Sequence, residues 1–321
     1  MSWKIGGAGV AGSYLFGRMK ASGFDVEIYD PKRPNFYIPC GFATNRNSID
    51  PYLKKLSISF DEIAEADTGR IWISGNNFEK TEFLQNGLST INKMKMELLM
   101  RGGMPYQRGM INDRNSVILD CTGISRAYLG KVQSDQTMFA IEKVCKSSPY
   151  DGFYFNFFRR GRGYFWSFPL GDRYHIGAGG VDLGEVRSYL AQFNGTSILS
   201  RKIRMAPTIG EIISGNVIGI GESIGYISPL LGEGIVPAIE NAEKFFNIVS
   251  STEDIHEISI KYTDSVMKRM QNFRLISTLV SNIQSGKTLT AGNILAARHA
   301  MKELKNFGIK PDYLKILGHF L

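Results

Sequence analysis

Trp3-Lys4-Ile5-Gly6-Gly7-Ala8-Gly9-Val10-Ala11-Gly12 decides how the first part of this chain folds. A short β-like run over 3–5 enters a glycine turn, residues 13–21 have helical composition, and Val26-Glu27-Ile28-Tyr29 reads as a second strand closed by Asp30. Strand, turn, helix and strand in immediate succession open an α/β dinucleotide-binding unit. Gly7 permits the tight turn, Gly9 lets backbone come close to a pyrophosphate, and Gly12 lets helix and strand pack. Val10 and Ala11 begin the helix, whose free N–H groups and positive dipole end favour an anion. Asp30 lies 18 residues after Gly12, where a carboxylate accepts hydrogen bonds from ribose hydroxyls. An acid there disfavours a 2′-phosphate, so FAD or NAD fits and NADP does not.

A second segment of similar character lies far downstream. Val217-Ile218-Gly219-Ile220-Gly221-Glu222 is an apolar strand ending in glycine and an acid, and Ser223-Ile224-Gly225, Pro229 and Gly232-Glu233-Gly234-Ile235 follow at a helix start. It reads as a second phosphate-and-polyol site. Between the two, Asp120-Cys121-Thr122-Gly123 follows the apolar strand 117–119. Residues 150–181 alternate as antiparallel strands do: Gly152-Phe153-Tyr154-Phe155-Asn156-Phe157-Phe158, a basic turn at 159–163, the run 164–169, a turn at Gly171-Asp172, and 174–179. So many aromatic residues imply an apolar lumen. By period two, Tyr164 and Trp166 share one face, with Phe165 and Phe168 off that face or near it.

Tyr164-Phe165-Trp166-Ser167-Phe168-Pro169 followed by Gly177-Ala178-Gly179 resembles the signature of geranylgeranyl reductases. These are flavoenzymes of the para-hydroxybenzoate hydroxylase superfamily that saturate double bonds of isoprenoid chains. The N-terminal glycine turn, Pro39-Cys40-Gly41, Asp120-Cys121-Thr122-Gly123 and the stretch 221–235 fit the same family in order, over roughly residues 3–245. The resemblance implies FAD, in a Rossmann-like FAD-binding domain beside an antiparallel-sheet substrate domain. It implies that Glu222 meets the ribitol, and that the helix entered through Pro229, Gly232, Gly234 and Ile235 aims its N-terminus at the flavin ring. It further implies that Gly123 and Gly221 border the cofactor and that Cys40 and Gly41 pass beside the isoalloxazine. Cys40 would tune the flavin or donate a proton, and Tyr164 and Trp166 would line the reacting cavity.

The chain departs from that pattern in several places. Gly221-Glu222-Ser223-Ile224-Gly225 stands where the family shows Gly-Asp-Ala-Ala-Gly, Phe42 stands where it shows an acid, and the stretch between Leu99 and Val117 is short for its β-meander. The C-terminal part is also reduced, as in a shortened archaeal-type member acting on a smaller substrate or with a partner.

The expected organisation is α/β with an α+β substrate domain. Residues 1–55, 86–145 and 205–250 form a discontinuous FAD-binding domain, 56–85 and 146–204 the antiparallel substrate domain, and 251–321 a helical segment with Gly286 as a breaker. The 321 residues, 43% hydrophobic and 12% aromatic, can fill a sizeable core. Three cysteines without C-x-x-C spacing suggest neither a disulfide framework nor zinc, and none of the four histidines sits at metal spacing, so no metal is expected. No leader is expected ahead of the first strand, and no apolar run reaches the ~18 residues of a spanning helix, which points to a cytoplasmic protein. The net charge of +8 comes from scattered residues, so nucleic acid is not an expected partner. The basic C-terminal third would suit peripheral contact with an anionic membrane.

The expected function is reduction of C=C bonds in an isoprenoid-like apolar substrate by hydride from reduced FAD, with electrons from NAD(P)H or a ferredoxin. A flavin monooxygenase, or a non-catalytic flavin- or prenyl-lipid-binding protein, is the alternative.

Overall fold

Trp3 and Ile5, Val26 and Ile28 are all buried, and the strands that carry them, Trp3–Gly6 and Val26–Asp30, pair in parallel with Ile5 opposite Ile28. The computed structural model describes residues 2–33, 36, 40–67, 69–75, 78–113, 115–133, 135–196, 198–205, 207, 211–287 and 293–310, the side chains of 78 and 198 excepted. Pro39 and His319, both used in the sequence reading, lie outside these residues.

The fold is mixed α/β. Its first sheet has six strands in the order Ile213–Ser214, Val217–Gly219, Val117–Asp120, Trp3–Gly6, Val26–Asp30 and Gln107–Arg108, and only the first pair is antiparallel. The second is a seven-stranded sheet in the order Ile198–Arg204, Thr137–Cys145, Arg173–Gly180, Gly163–Leu170, Phe153–Phe157, Arg70–Gly75 and Phe78–Leu84. A third, small antiparallel sheet joins Ala43–Asn45, Leu88–Ile91 and Ala64–Ala66.

The sheets correct the expected division of the chain at two points. Thr137–Cys145, assigned by sequence to the dinucleotide unit, is hydrogen-bonded on both sides within the seven-stranded sheet. Ala64–Ala66, assigned to the substrate unit, pairs instead with Leu88–Ile91. Local composition cannot tell which neighbour a strand will find, because pairing is set by contacts distant in sequence.

Seven helices are described: α1 (Val10–Ala21), α2 (Arg46–Leu53), α3 (Lys93–Met100), α4 (Leu183–Leu190), α5 (Ile235–Val249), α6 (Ile255–Gln284) and α7 (Asn293–Phe307). Nine of the twelve residues of α1 are buried, because it lies under the parallel sheet and against both α3 and α5. Close approach explains Gly17, where a Cβ would sit 1.9 Å from the Met100 carbonyl oxygen. The α1–α5 contact is fastened by Glu243, which accepts from Tyr14 Oη at 2.8 Å and pairs with Arg18 at 2.9 Å and Lys55 at 2.7 Å. Helix α6 runs 30 residues, buries Val266, Met270 and Phe273 on one stripe, and stops just before Gly286 at φ 67°. No described helix is long and apolar enough to cross a membrane.

The two faces of the seven-stranded sheet carry different cores. Phe165, Ile176 and Ala178 pack under α4, whereas Phe155, Trp166 and Phe168 face the other way, toward Leu231 and Phe307.

Candidate functional site

Parallel pairing brings separated turns to one place. Gly6 lies opposite both Tyr29 and Asp120, and Asp120 opposite Gly219, so the chain leaves all four strands at one sheet edge. Ligands of open parallel sheets bind at such carboxyl ends. There the chain encloses a cavity of about 270 Å³, bounded by the first glycine turn, the 40–43 segment, the turn at 122–123, the 220–235 segment and the aromatic face of the seven-stranded sheet.

The three glycines of the first turn have separate steric reasons. Gly7 has φ 97°, and a Cβ on it would lie 2.5 Å from the Cys121 carbonyl oxygen. A Cβ on Gly12 would lie 1.9 Å from Gly7 O, whereas one on Gly9 would meet nothing within 4 Å. Gly9 is thus the open point of the turn and also the N-cap of α1, with no side-chain cap and no acid in the first turn. The leading N–H groups of α1 are available to an anion. Behind the turn, Arg101 donates to Ala8 O at 3.3 Å and to Ser13 Oγ at 2.6 Å. Asp30 accepts from Ala8 N and Lys32 N, 2.9 Å each, and still reaches the cavity. Its carboxylate therefore shapes the turn while keeping lone pairs for a ligand.

The second turn touches the first. Gly221, at φ 72°, is so placed that a Cβ would lie 3.1 Å from the Cβ of Ala11. Asn241 Oδ1 fixes it, accepting from Gly221 N at 2.7 Å and from Tyr262 Oη at 3.0 Å. Beside it, Glu222 Oε2 accepts from Arg201 at 2.6 Å, while Glu222 Oε1 is buried without a partner among the described residues. A buried oxygen left bare costs about 1–3 kcal/mol, so a ligand donor at that point is favoured. Gly123, at φ 66°, has no room for a side chain, since a Cβ would meet Glu222 Oε2 at 2.7 Å.

One expected feature is altered. The N-terminus of α5 is not open to a ligand: Ile235 N and Val236 N both donate to Glu233 Oε1 at 2.9 Å. A side chain one residue before the N-cap satisfies the donors that were expected to face the flavin ring.

Along the aromatic wall, Tyr164, Trp166 and Phe168 all line the cavity, so strict alternation holds and Phe168 belongs with the first two, while Phe165 points away. The glycines of the adjacent strand explain how an indole fits there. Trp166 is in register with Gly177, where a Cβ would strike the indole at 2.2 Å, and Tyr164 with Gly179. Tyr164 Oη donates to Leu231 O, and burial pushes its pKa up. The Trp166 Nε1–H is buried without a partner among the described residues, and a Cβ on Gly41 would come within 3.1 Å of it.

Cys40 borders the cavity and is only partly buried by its exposure. Burial raises its thiol pKa and outweighs the opposing charge of Lys93, so the thiol is held neutral. The adjoining Phe42 takes φ 53° and packs on His175, whose Nδ1 lies 3.1 Å from Cys40 O and 3.2 Å from Glu142 Oε1. No group of three metal-ligating side chains occurs among the described residues.

Of the residues singled out by sequence, Gly7, Gly9, Val10, Ala11, Asp30, Cys40, Gly41, Gly123, Tyr164, Trp166, Glu222, Gly232, Gly234 and Ile235 line this one cavity. Gly12, Gly221 and Pro229 do not. Gly12 and Gly221 pack turn against helix, and Pro229 is buried in the 226–232 turn. Lys93, Arg201, Ile203, Glu233 and Phe307 also line it and were not foreseen. Glu233 stood in a quoted motif as an acid among glycines, whereas Lys93, Arg201 and Phe307 sit on elements with no local motif.

No family model matches the chain. An uncharacterized protein of Methanocaldococcus jannaschii is 23% identical over 82% of this chain and 87% of its own length. Among solved structures, a geranylgeranyl bacteriochlorophyll reductase-like protein of Thermoplasma acidophilum superposes with TM-score 0.70 at 14% identity, covering 95% of this chain and 98% of its own. The 2,6-dihydroxypyridine-3-hydroxylase of Arthrobacter nicotinovorans gives 0.67 at 12% identity, covering 92% and 95%. The flavin-dependent brominase Bmp2 also gives 0.67 at 12%, covering 99% and 92%. At such identities the likeness is one of fold.

Proposed function

We propose that the protein is an FAD-dependent oxidoreductase that reduces C=C bonds of an isoprenoid-like or other apolar substrate. The observation that carries this reading is the meeting of the glycine turn 7–11, backed by Asp30, with the turn 220–222 and its Glu222, in one cavity whose remaining wall is aromatic. The flavin and reductase names among proteins of the same fold support it.

The residues present fit the cofactor. The uncapped N-terminus of α1 would hold the pyrophosphate and Asp30 the adenosine ribose, and the bare Glu222 Oε1 would accept from a ribitol hydroxyl. When bound, FAD supplies the hydride. Tyr164, Trp166, Phe168 and Phe307 exclude water and orient an apolar chain against it. Reducing equivalents come from an external donor, NAD(P)H or a ferredoxin.

The test begins with the visible spectrum of the purified protein before and after reconstitution with FAD. Anaerobic reduction with dithionite is followed by incubation with geranylgeraniol. A product heavier by two mass units per double bond supports the proposal, and a protein that takes up no FAD removes it. A monooxygenase is the second reading, favoured by the hydroxylase of the same fold. Substrate-dependent oxygen consumption by the reduced protein would establish that reading instead.

A further inference from the structure

Three carboxyl side chains line the cavity among the described residues: Asp30, Glu222 and Glu233. Asp30 is engaged by two backbone N–H groups and Glu222 by Arg201. Glu233 has no cation partner among the described residues. Its Oε1 accepts from Ile235 N and Val236 N, and its Oε2 has no partner among them. The charged groups set around it are Glu240 on α5, the helix that follows it, and Glu303 on α7, and Tyr164 on the facing strand is the other titratable neighbour. Arg269 of α6 is drawn off by Glu303 at 2.7 Å. Burial, the largest cause, and the charges of Glu303 and Glu240 outweigh the two backbone donors that favour the anion, and the Glu233 pKa rises from 4.5 to about 8.

We propose that Glu233 is the proton donor of the reduction, delivering its proton to the carbon adjacent to the one that receives hydride. This rests on the reductive reading given above. The other cavity groups are worse placed to donate. Tyr164 Oη is committed to the Leu231 carbonyl, Lys93 is paired with Glu97 and its pKa is raised, and burial raises the pKa of the Cys40 thiol. The balance closes as follows. Hydride brings two electrons and forms one C–H bond, the π pair of the alkene forms the second C–H bond with the Glu233 proton, and the flavin is oxidised as the alkene is reduced. The glutamate left behind is anionic, held by two N–H donors and the positive end of α5, and regains its proton from water.

The experiment compares wild type with Glu233→Gln. Infrared titration of the flavin-free proteins is expected to show a protonated carboxyl band that disappears near pH 8 in wild type and is missing in the variant. With FAD bound and reduced anaerobically, reoxidation by geranylgeraniol is followed at the flavin absorbance from pH 6 to 10. Wild type should slow above about pH 8, and the FAD-saturated variant should be at least about 100-fold slower and flat with pH. A variant as fast as wild type, or a wild-type rate independent of pH across that range, overturns the assignment while leaving the reductase reading intact. The wild-type profile decides even if the variant does not fold. A wild type whose reduced flavin is never reoxidised by the alkene overturns the reductive reading and this assignment with it.

Discussion

Gly177 shows how much of the site rests on one absent methyl group. Its Cβ would lie 2.2 Å from the Trp166 ring, so Gly177→Ala must displace either the indole or the strand. We expect a loss of about 1–3 kcal/mol in chemical denaturation, with a change in Trp fluorescence that reports the displaced ring. Glu233 makes the fold itself sensitive to pH. The folded protein keeps this proton up to about pH 8, whereas the unfolded chain releases it in the ordinary glutamate range near 4.5. The native state therefore binds more protons between those values, and this group makes stability fall as pH rises through that window. Denaturation of wild type and Glu233→Gln at pH 5 and pH 9 checks the sign: the wild type should lose more stability than the variant between the two. Glu222→Gln keeps the size of the side chain but removes the charge that faces Arg201. It is expected to weaken FAD binding about tenfold or more, read by fluorescence titration.

At the scale of elements, α1 works only where it is pinned. Its sheet side is fixed by Gly12 against the turn and its far side by Glu243, which gathers Tyr14, Arg18 and Lys55. Glu243→Leu leaves the Arg18 and Tyr14 groups without their acceptor, and a loss of about 3 kcal/mol in thermal or chemical denaturation is expected. The same change should loosen the turn that α1 carries. The helix α5 illustrates the opposite economy: its first amides are satisfied from within by Glu233, so its N-terminus enters the site as a holder of a side chain. The first glycine turn and the antiparallel run 153–180 were legible because each is local. A glycine spacing specifies a turn and a period of two specifies a strand face. Even so, Phe168 was left between faces by the sequence, and the continuous pairing Pro169↔Tyr174, Phe168↔His175 and Trp166↔Gly177 shows that no bulge breaks the alternation.

The whole molecule joins its two sheets through the cavity, and a ligand that fills it contacts both. FAD that binds only the folded state should then raise stability by about 2.7 kcal/mol at a concentration 100 times Kd, measured as an increase in Tm that scales with the logarithm of FAD concentration. An unchanged Tm at FAD concentrations far above the expected Kd would mean that the folded protein does not bind FAD.

The sequence by itself determined the α/β opening, the glycines of its first turn and the aromatic strand face, because those depend on neighbours a few residues away, whereas Gly41, Gly123, Gly232 and Gly234 were expected near the cofactor only through the family resemblance. It did not determine that Thr137–Cys145 belongs to the large sheet, that Lys93, Arg201 and Phe307 reach the same cavity, or that Glu233 closes the end of α5. These were decided by the tertiary structure. Strand partnership and the environment of a half-buried carboxyl come from contacts between residues tens to hundreds of positions apart, and no local pattern of side chains encodes them.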